Sequence, residues 1–208
     1  MKVSKAFRCS VRQATSNLSG SKSPIVAIRA NDLCFMGILR TIENAGFEPI
    51  CVHFTWKGAG PWLSEKSRHW TNTVEITNPA EDPPKAAMEL AFLGNALLEN
   101  SNQKSLVVPS SDTAQKLLFK YEDKLRPYFN MYGAPNFDSF RYEVTHKGEF
   151  FKSLNDHLPG LCPETTLIQK DYCLANFDEL RKYPYVIKPA AKDFTQSFYR
   201  LNNGKKAI

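Results

Sequence analysis

The chain has 208 residues and a net charge of +6, with 42% hydrophobic, 23% charged and 12% aromatic residues. This composition is typical of a globular protein that buries a sizeable core, and it excludes collagen-like, coiled-coil and mainly disordered chains. The longest apolar stretch, residues 86–98, is interrupted by Glu89 and Asn95 and is shorter than the roughly 18 residues of a membrane span. We therefore expect a soluble protein with no membrane partner.

The positive charge is concentrated at the amino terminus. Residues 1–23 contain five basic and no acidic residues, whereas the remainder holds 22 basic and 21 acidic residues. Because the remainder is close to neutral, the basic pI does not indicate a nucleic-acid partner. The five cysteines form no CxxC motif. This pattern favours a reducing compartment, the cytoplasm, over a disulfide framework or a metal site.

Residues 1–23 have the composition of a flexible leader. They are basic and rich in serine, and they lack the apolar segment of a secretory signal. Because such a segment can bury little apolar surface, we expect it to be unfolded and its removal to leave stability unchanged. An organelle transit peptide shares this Arg- and Ser-rich, acid-poor composition and is the alternative.

An alternation of strand and helix follows the leader. The apolar run 24–30 predicts a buried strand, and Asn31 or Asp32 can cap the helix after it. Gly46 suits the position that follows the last turn of that helix, and residues 49–54 predict a second strand, which completes one βαβ unit. The apolar residues of the helix recur at spacings of three and four: Phe35, Ile38, Leu39 and Ile42.

The same alternation continues to about residue 127. Strands are predicted at 71–77 and 105–109, and helices at 84–99 and from Asp112, which we expect to be a helix cap. Such an alternation predicts an α/β fold with a parallel sheet that is covered on both faces. Ligands of these sheets bind beyond the carboxyl ends of the strands. The loops expected at that edge are 30–32, 56–70 and 110–112.

After residue 127 the sequence becomes aromatic and rich in turn-forming residues, which predicts a junction between domains. A helix is predicted at about 146–157, followed by strands at about 164–168 and 185–188. The sequence therefore predicts three parts: a leader (1–23), an α/β domain (24–134) and a second domain (135–208).

Two common nucleotide-binding motifs are absent from the sequence. It contains neither GxGxxG in the first strand–helix turn nor GxxxxGK[ST], which disfavours a dinucleotide-dependent dehydrogenase and a P-loop protein. Lys188 ends the apolar segment YPYVIKP, where a buried cation is costly unless it meets an anion. Lys147 lies in the first turn of a predicted helix, where a cation opposes the helix dipole unless an anion offsets it. A solvated surface lysine is the alternative at each position.

Taken together in chain order, five segments of the sequence resemble the amino-terminal portion of ATP-grasp enzymes. The similarity covers residues 24–208 and is to the carboxylate–amine ligase branch, which includes D-aspartate-ligase-like proteins. The opening turn departs from the branch because Asn31-Asp32-Leu33 replaces a Gly-rich loop, and His146 stands where the pattern has aspartate. The segments that carry the resemblance are PIVAIRAND…GILRTIENAG (24–46), Ser67-Arg68, VVPSSD (107–112), HKGEFFKSL…LCPETTLI (146–168) and YPYVIKPA (183–190).

The resemblance implies a Rossmann-like pre-ATP-grasp domain with a parallel sheet, followed by an incomplete α+β first lobe of the ATP-grasp domain. It also implies an ATP-dependent ligase that joins a small-molecule carboxylate to an amine through an acyl phosphate. Lys147 and Lys188 would bind ATP. The loops expected to face the substrate side carry Asn31, Arg68, Ser111 and Asp112. For Asp112 a helix cap is the alternative role, and for Arg68 a surface pair with Glu65.

The resemblance further implies Mg²⁺, whose ligands we expect beyond residue 208. Asp193 is the only carboxylate residue after Lys188, and a magnesium ion shared with phosphates needs more oxygen ligands than one side chain supplies. We therefore assign no catalytic or metal-binding residue here and expect an incomplete chain that is inactive alone. The branch is compatible with a homodimer. The alternative function is a non-catalytic module of the same fold that binds a nucleotide or another small molecule.

Overall fold

The computed structural model describes residues 3–16, 18, 24–29, 32–55, 63–131 and 147–161. The chain divides into two units, Met1–Asn136 and Phe137–Ile208. The first unit contains a five-stranded sheet in which every neighbouring pair is parallel, in the order β3-β2-β1-β4-β5. The strands are β1 (Ile25–Arg29), β2 (Pro49–Phe54), β3 (Thr73–Ile76), β4 (Ser105–Pro109) and β5 (Phe129–Asn130).

Helices cover this sheet, and a short 3₁₀ turn, Leu63–Lys66, precedes β3. The predicted α/β class and the parallel sheet are confirmed, and the described strands and helices between residues 24 and 121 lie within two residues of their predicted bounds. One described helix lies in the second unit. The helices are α1 (Lys5–Ser16), α2 (Asp32–Asn44), α3 (Pro83–Ser101), α4 (Asp112–Lys120), α5 (Glu122–Leu125) and, in the second unit, α6 (Lys147–His157).

Alternate residues of the strands belong to two separate cores. On one face of the sheet, Val26 and Ile28 join the apolar residues of α1, α3 and α4. On the other face, Ala27 and Cys51 pack against the buried residues of α2. Because both faces are covered, the central strands are nearly continuous apolar runs, as expected of a parallel sheet. Helix α2 is held by Phe35, Leu39 and Ile42, three of the four residues that predicted its apolar stripe.

Helix α3 is fixed by polar groups at its start and within its buried face. The Asp82 carboxylate accepts a hydrogen bond from the backbone N–H of Lys85 at 3.0 Å and caps the first turn. Glu89, one of the two residues that interrupt the apolar stretch, is buried, and its carboxylate accepts the N–H of Thr77 at 2.7 Å. This bond satisfies a backbone donor just after β3, so the buried charge has a structural role.

Residues 5–16, in the middle of the predicted leader, are folded. Residues 5–16 form α1, and Phe7, Val11 and Ala14 lie in the same core as α3 and the sheet. The Phe7 ring contacts that of Phe92 edge-on, with the ring centroids 6.0 Å apart. For residues 5–16 the expectation of an unfolded leader was wrong, because the overall composition hides an apolar stripe at positions i, i+4 and i+7. The basic and serine residues supply mainly the exposed face of this helix.

Replacing Phe7 with Ala is expected to destabilise the first unit. The side chain is 7% exposed, and its truncation should lower the free energy of unfolding by about 3 kcal/mol. Arg12→Ala, on the exposed face of the same helix, should change it by less than about 0.5 kcal/mol. Urea unfolding of the two variants measures both quantities. Equal stability of Phe7→Ala and wild type would restore the unfolded-leader interpretation.

Two helical glycines provide a matched test of packing against β5. A Cβ added at Gly94 in α3 would lie 2.5 Å from the Phe129 ring, whereas one added at Gly37 in α2 meets no atom within 4 Å. Gly37→Ala should therefore raise the free energy of unfolding by about 0.5–1 kcal/mol through helix propensity. Gly94→Ala should lower it by about 1–3 kcal/mol through overpacking. Denaturant unfolding checks the opposite signs, and stabilisation by both substitutions would show that β5 does not approach α3 this closely.

Candidate functional site

The strand order reverses at the centre of the sheet. Strand β1 lies between β2 and β4, and the chain crosses from β3 on one side to β4 on the other. Ligands of open parallel sheets bind beyond the carboxyl ends of the strands at such a reversal. There, the Ser110 N–H donates to the carbonyl oxygen of Ile28 at 3.0 Å, so the residues after β4 begin beside the end of β1.

Two of the predicted substrate-side residues lie at this edge. Ser111 has an extended backbone, and its hydroxyl oxygen accepts the N–H of Ala114 at 3.2 Å. Ser111 is therefore the cap of α4, and the prediction that Asp112 is the cap was wrong by one residue. A capping residue must keep a non-helical backbone, whereas Asp112 is already the first residue of the helix. Its carboxylate there complements the positive end of the helix dipole.

Three other candidates are only partly placed or lie outside the described residues. Lys147 is the first residue of α6 in the second unit, and the described part of it is its backbone. Asn31 and Lys188 lie outside the described residues, so their predicted roles stay predictions.

A buried arginine, Arg29, ends β1 and was not among the predicted residues. It is 6% exposed. One guanidinium nitrogen, Nη1, donates to Ser64 Oγ at 3.4 Å and lies 3.3 Å from Glu65 Oε1. The guanidinium carbon lies 5.0 Å from the centroid of the Trp70 ring, a cation–π distance. The signal was present in the sequence, because a charge that closes an apolar strand is the pattern that singled out Lys188.

His53 lies next to Arg29 in the sheet. Arg29 is in register with His53 across β1 and β2, and His53 with Glu75 across β2 and β3. The imidazole also contacts the Trp70 ring, with centroids 5.6 Å apart. Burial lowers the pKa of His53 below 6.5, and the Arg29 charge lowers it further, whereas Glu75 and Glu65 oppose the shift. The neutral form of His53 is therefore favoured at this edge.

Arg68 lies in a different setting from Ser111 and Asp112. It lines an open depression of about 420 Å³ together with Arg40, Asn44, Ser67 and His69. Its expected surface partner, Glu65, pairs with Arg29 instead. The Nε–H of Arg68 donates to Nε2 of the His69 ring at 3.4 Å. Glu65 therefore contacts the end of β1, whereas Arg68 contacts His69 beside α2.

The His69 ring connects Arg68 to α2. Its Nδ1 lies 2.5 Å from Oε2 of Glu43, near the end of that helix. Because the Arg68 Nε–H can only donate, Nε2 of His69 accepts, which places the ring proton on Nδ1 toward Glu43. His69 and His53 thus both have polar or aromatic partners.

The cysteines differ from one another. Cys51 is fully buried, and burial raises the pKa of its thiol to about 12, so the thiol stays protonated. Cys51 therefore packs as a small core residue. Cys34, in contrast, is exposed. Around α2, it lies about 100° from the buried Phe35 and about 40° from Ile38, at the margin of the apolar stripe.

Comparisons of the chain with protein-family models, with curated proteins and with solved structures find no match. Within the described ranges, no group of three or more His, Cys, Asp or Glu residues could hold a metal ion. No helix in the part of the chain that the structure describes is long and apolar enough to cross a membrane.

The lowered pKa of His53 predicts a loss of stability in acid. Between pH 6.5 and the lower pKa of the folded state, His53 is protonated in the unfolded chain but neutral in the folded protein. The free energy of unfolding therefore falls as the pH is lowered through this range and has its full value above pH 6.5. Thermal unfolding should show a smaller decrease from pH 7.5 to 5.5 for His53→Gln than for wild type. An NMR titration that gives His53 a pKa of 6.5 or higher would contradict the prediction.

Proposed function

We propose that this chain belongs to an ATP-dependent carboxylate–amine ligase of the ATP-grasp kind. In this proposal the first unit is a Rossmann-like pre-ATP-grasp domain, and residues from 137 onward contribute to the nucleotide-binding domain. Lys147 and Lys188 bind the phosphates or the adenine edge of ATP from two sides. A cytoplasmic protein with small-molecule substrates fits this activity.

Two features of the fold support the proposal. The order β3-β2-β1-β4-β5 is compatible with a doubly wound sheet, a class that often binds nucleotides where the strand order reverses, here between β1 and β4. The observation on which the proposal chiefly rests is that a helix begins at Lys147, in a second unit that follows this sheet. The helix at Lys147–His157 agrees with the helix that the resemblance implies after Lys147. Of the three described residues expected on the substrate side, Ser111 and Asp112 lie beside the end of β1, whereas Arg68 lines the depression beside α2.

The proposed reaction needs positioning and charge more than covalent catalysis. A carboxylate oxygen of the substrate would attack the γ-phosphorus of ATP, and ADP would leave. The amine nitrogen would then attack the acyl carbon, expelling inorganic phosphate, and the loss of a proton would give the amide. Lysine ammonium groups near the triphosphate would stabilise the charge of the first transfer. The described residues hold no carboxylate cluster that fits Mg²⁺, so no step is assigned to that ion here.

Nucleotide binding by lysine variants tests the site. In the full-length protein, Lys147→Ala and Lys188→Ala should each weaken ATP binding about tenfold or more, because each removes a charge-assisted hydrogen bond of about 1.5–3 kcal/mol. Lys152→Ala, exposed on the same helix as Lys147, is the control and should bind ATP like wild type. Isothermal titration calorimetry measures the three affinities. Wild-type affinity in both lysine variants would show that the site is wrongly assigned.

Product analysis separates a ligase from a binding module. A ligase should release ADP only when both a carboxylate and an amine are supplied. ATP binding that depends on the two lysines, without ADP release from any carboxylate–amine pair, would favour the non-catalytic alternative.

A further inference from the structure

The depression beside the carboxyl-terminal half of α2 is lined by hydrogen-bond donors. Arg40 and Asn44 come from α2, and Ser67 and Arg68 come from the turn that follows the 3₁₀ segment. The two guanidinium groups present forks of N–H donors, and the hydroxyl and the amide add further donors. Within the described residues, neither Arg40 nor Arg68 forms an ion pair. In this part of the chain, the carboxylate nearest in the contact network, Glu43, is bound to His69 rather than to either arginine.

Arg68 is held in place through its Nε atom. That atom donates to His69 Nε2, and the opposite side of the ring donates to Glu43. His69 is 9% exposed, and its backbone N–H donates to Ser67 Oγ at 3.3 Å. Both terminal nitrogens of Arg68 remain for a ligand, while Nε is used for orientation. A fork that is oriented before binding loses less conformational freedom when it meets an anion.

The charge balance beside the depression favours an anion. Arg40 and Arg68 supply two positive charges at the rim of the depression, and the one carboxylate nearby, Glu43, is bound to His69 on the side away from Arg68, so the net charge there is positive. A carboxylate, with one charge and two oxygens, is satisfied by a single guanidinium fork. A phosphate monoester carries nearly two charges and three acceptor oxygens, which match two forks and a hydroxyl donor. The volume of about 420 Å³ exceeds that of a phosphate group and is within the range of small-ligand sites.

We propose that Arg40, Arg68 and Ser67 form a binding site for the phosphoryl group of a small phosphorylated molecule. Asn44 and the surface around it would contact the part of the ligand that carries the phosphate. This inference goes beyond the proposed ligase function, because it uses residues of the first unit alone and requires neither Lys147 nor Lys188. Free inorganic phosphate and a phosphate monoester share the chemistry recognised here.

Phosphate titrations of the full chain test the proposal. Inorganic phosphate and glycerol 3-phosphate are titrated at constant ionic strength, with chloride and acetate as comparison anions, and backbone amide shifts are followed by NMR. We expect saturable shifts at residues 40–44 and 67–69 with both phosphates and with neither comparison anion. Tighter binding of the monoester would show that the depression also recognises the organic part, and equal binding would restrict the site to the phosphoryl group. Equal shifts with chloride would overturn the proposal.

Variants at the two arginines give the second test. Arg40→Ala and Arg68→Ala should each weaken phosphate binding at least fivefold. Arg68→Lys keeps the charge but removes the fork and the donor to His69, so it should weaken binding to a similar extent. Arg12→Ala, exposed on α1 on the opposite face of the sheet, is the control and should bind like wild type. Wild-type affinity in the Arg68 variants would overturn the site.

The two proposals fail separately. Loss of phosphate binding in Arg68→Ala with unchanged ATP binding would support this site without bearing on the lysines. Phosphate binding that is lost in Lys147→Ala and Lys188→Ala but unaffected by Arg40→Ala and Arg68→Ala would assign the phosphate to the ATP site and overturn this inference.

Discussion

The burial of Arg29 is the constraint on which the candidate sites depend. A guanidinium that is 6% exposed must regain the hydrogen bonds and the charge stabilisation it has in water. It obtains them from Ser64, Glu65 and Trp70, all in the segment between β2 and β3. Because the cost of leaving this charge unpaired is high, the segment is fastened to the end of β1. The same segment carries Arg68 and His69, so its attachment also places the depression beside α2.

The two faces of the sheet are completed in different ways. One face is covered by α2 and the segment 63–70, joined where Trp70 packs edge-on against Phe35. The other is covered by α1, α3 and α4, and α1 packs against β3 at the edge of the sheet. Without α1, the apolar side of β3 would lose part of its cover. The amino-terminal segment is thus part of the first unit's core, although its composition is polar.

Periodicity predicted most of the fold, and single residues were predicted less well. Between residues 24 and 121, apolar runs predicted the strands, and apolar residues at helical spacing predicted the helices. Phe7, Val11 and Ala14 have the same helical spacing in the sequence, but the polar overall composition of residues 1–23 hides it. Ser111 and Asp112 are both good caps, and only the backbone conformation decides between them. The Glu43–His69 pair joins residues 26 positions apart, and it depends on how a loop folds back, which no local pattern encodes.

The separation of Arg68 from Ser111 follows from the direction of parallel strands. A residue just after a strand lies at the carboxyl edge of the sheet, whereas a residue just before a strand lies at the amino edge. The segment 64–72 runs between these edges, because Glu65 meets Arg29 at the end of β1 and Asn72 leads into β3. His69 lies part-way between the two edges. Its carbonyl oxygen is 3.9 Å from Sγ of Cys51, and Cys51 is in register with Thr73, the first residue of β3. Arg68 therefore lies beside the far end of α2, about 18 Å along the helix axis from its first residue. A long connection that begins at the ligand-binding edge of a parallel sheet can therefore place a charged residue, here Arg68, well away from that edge.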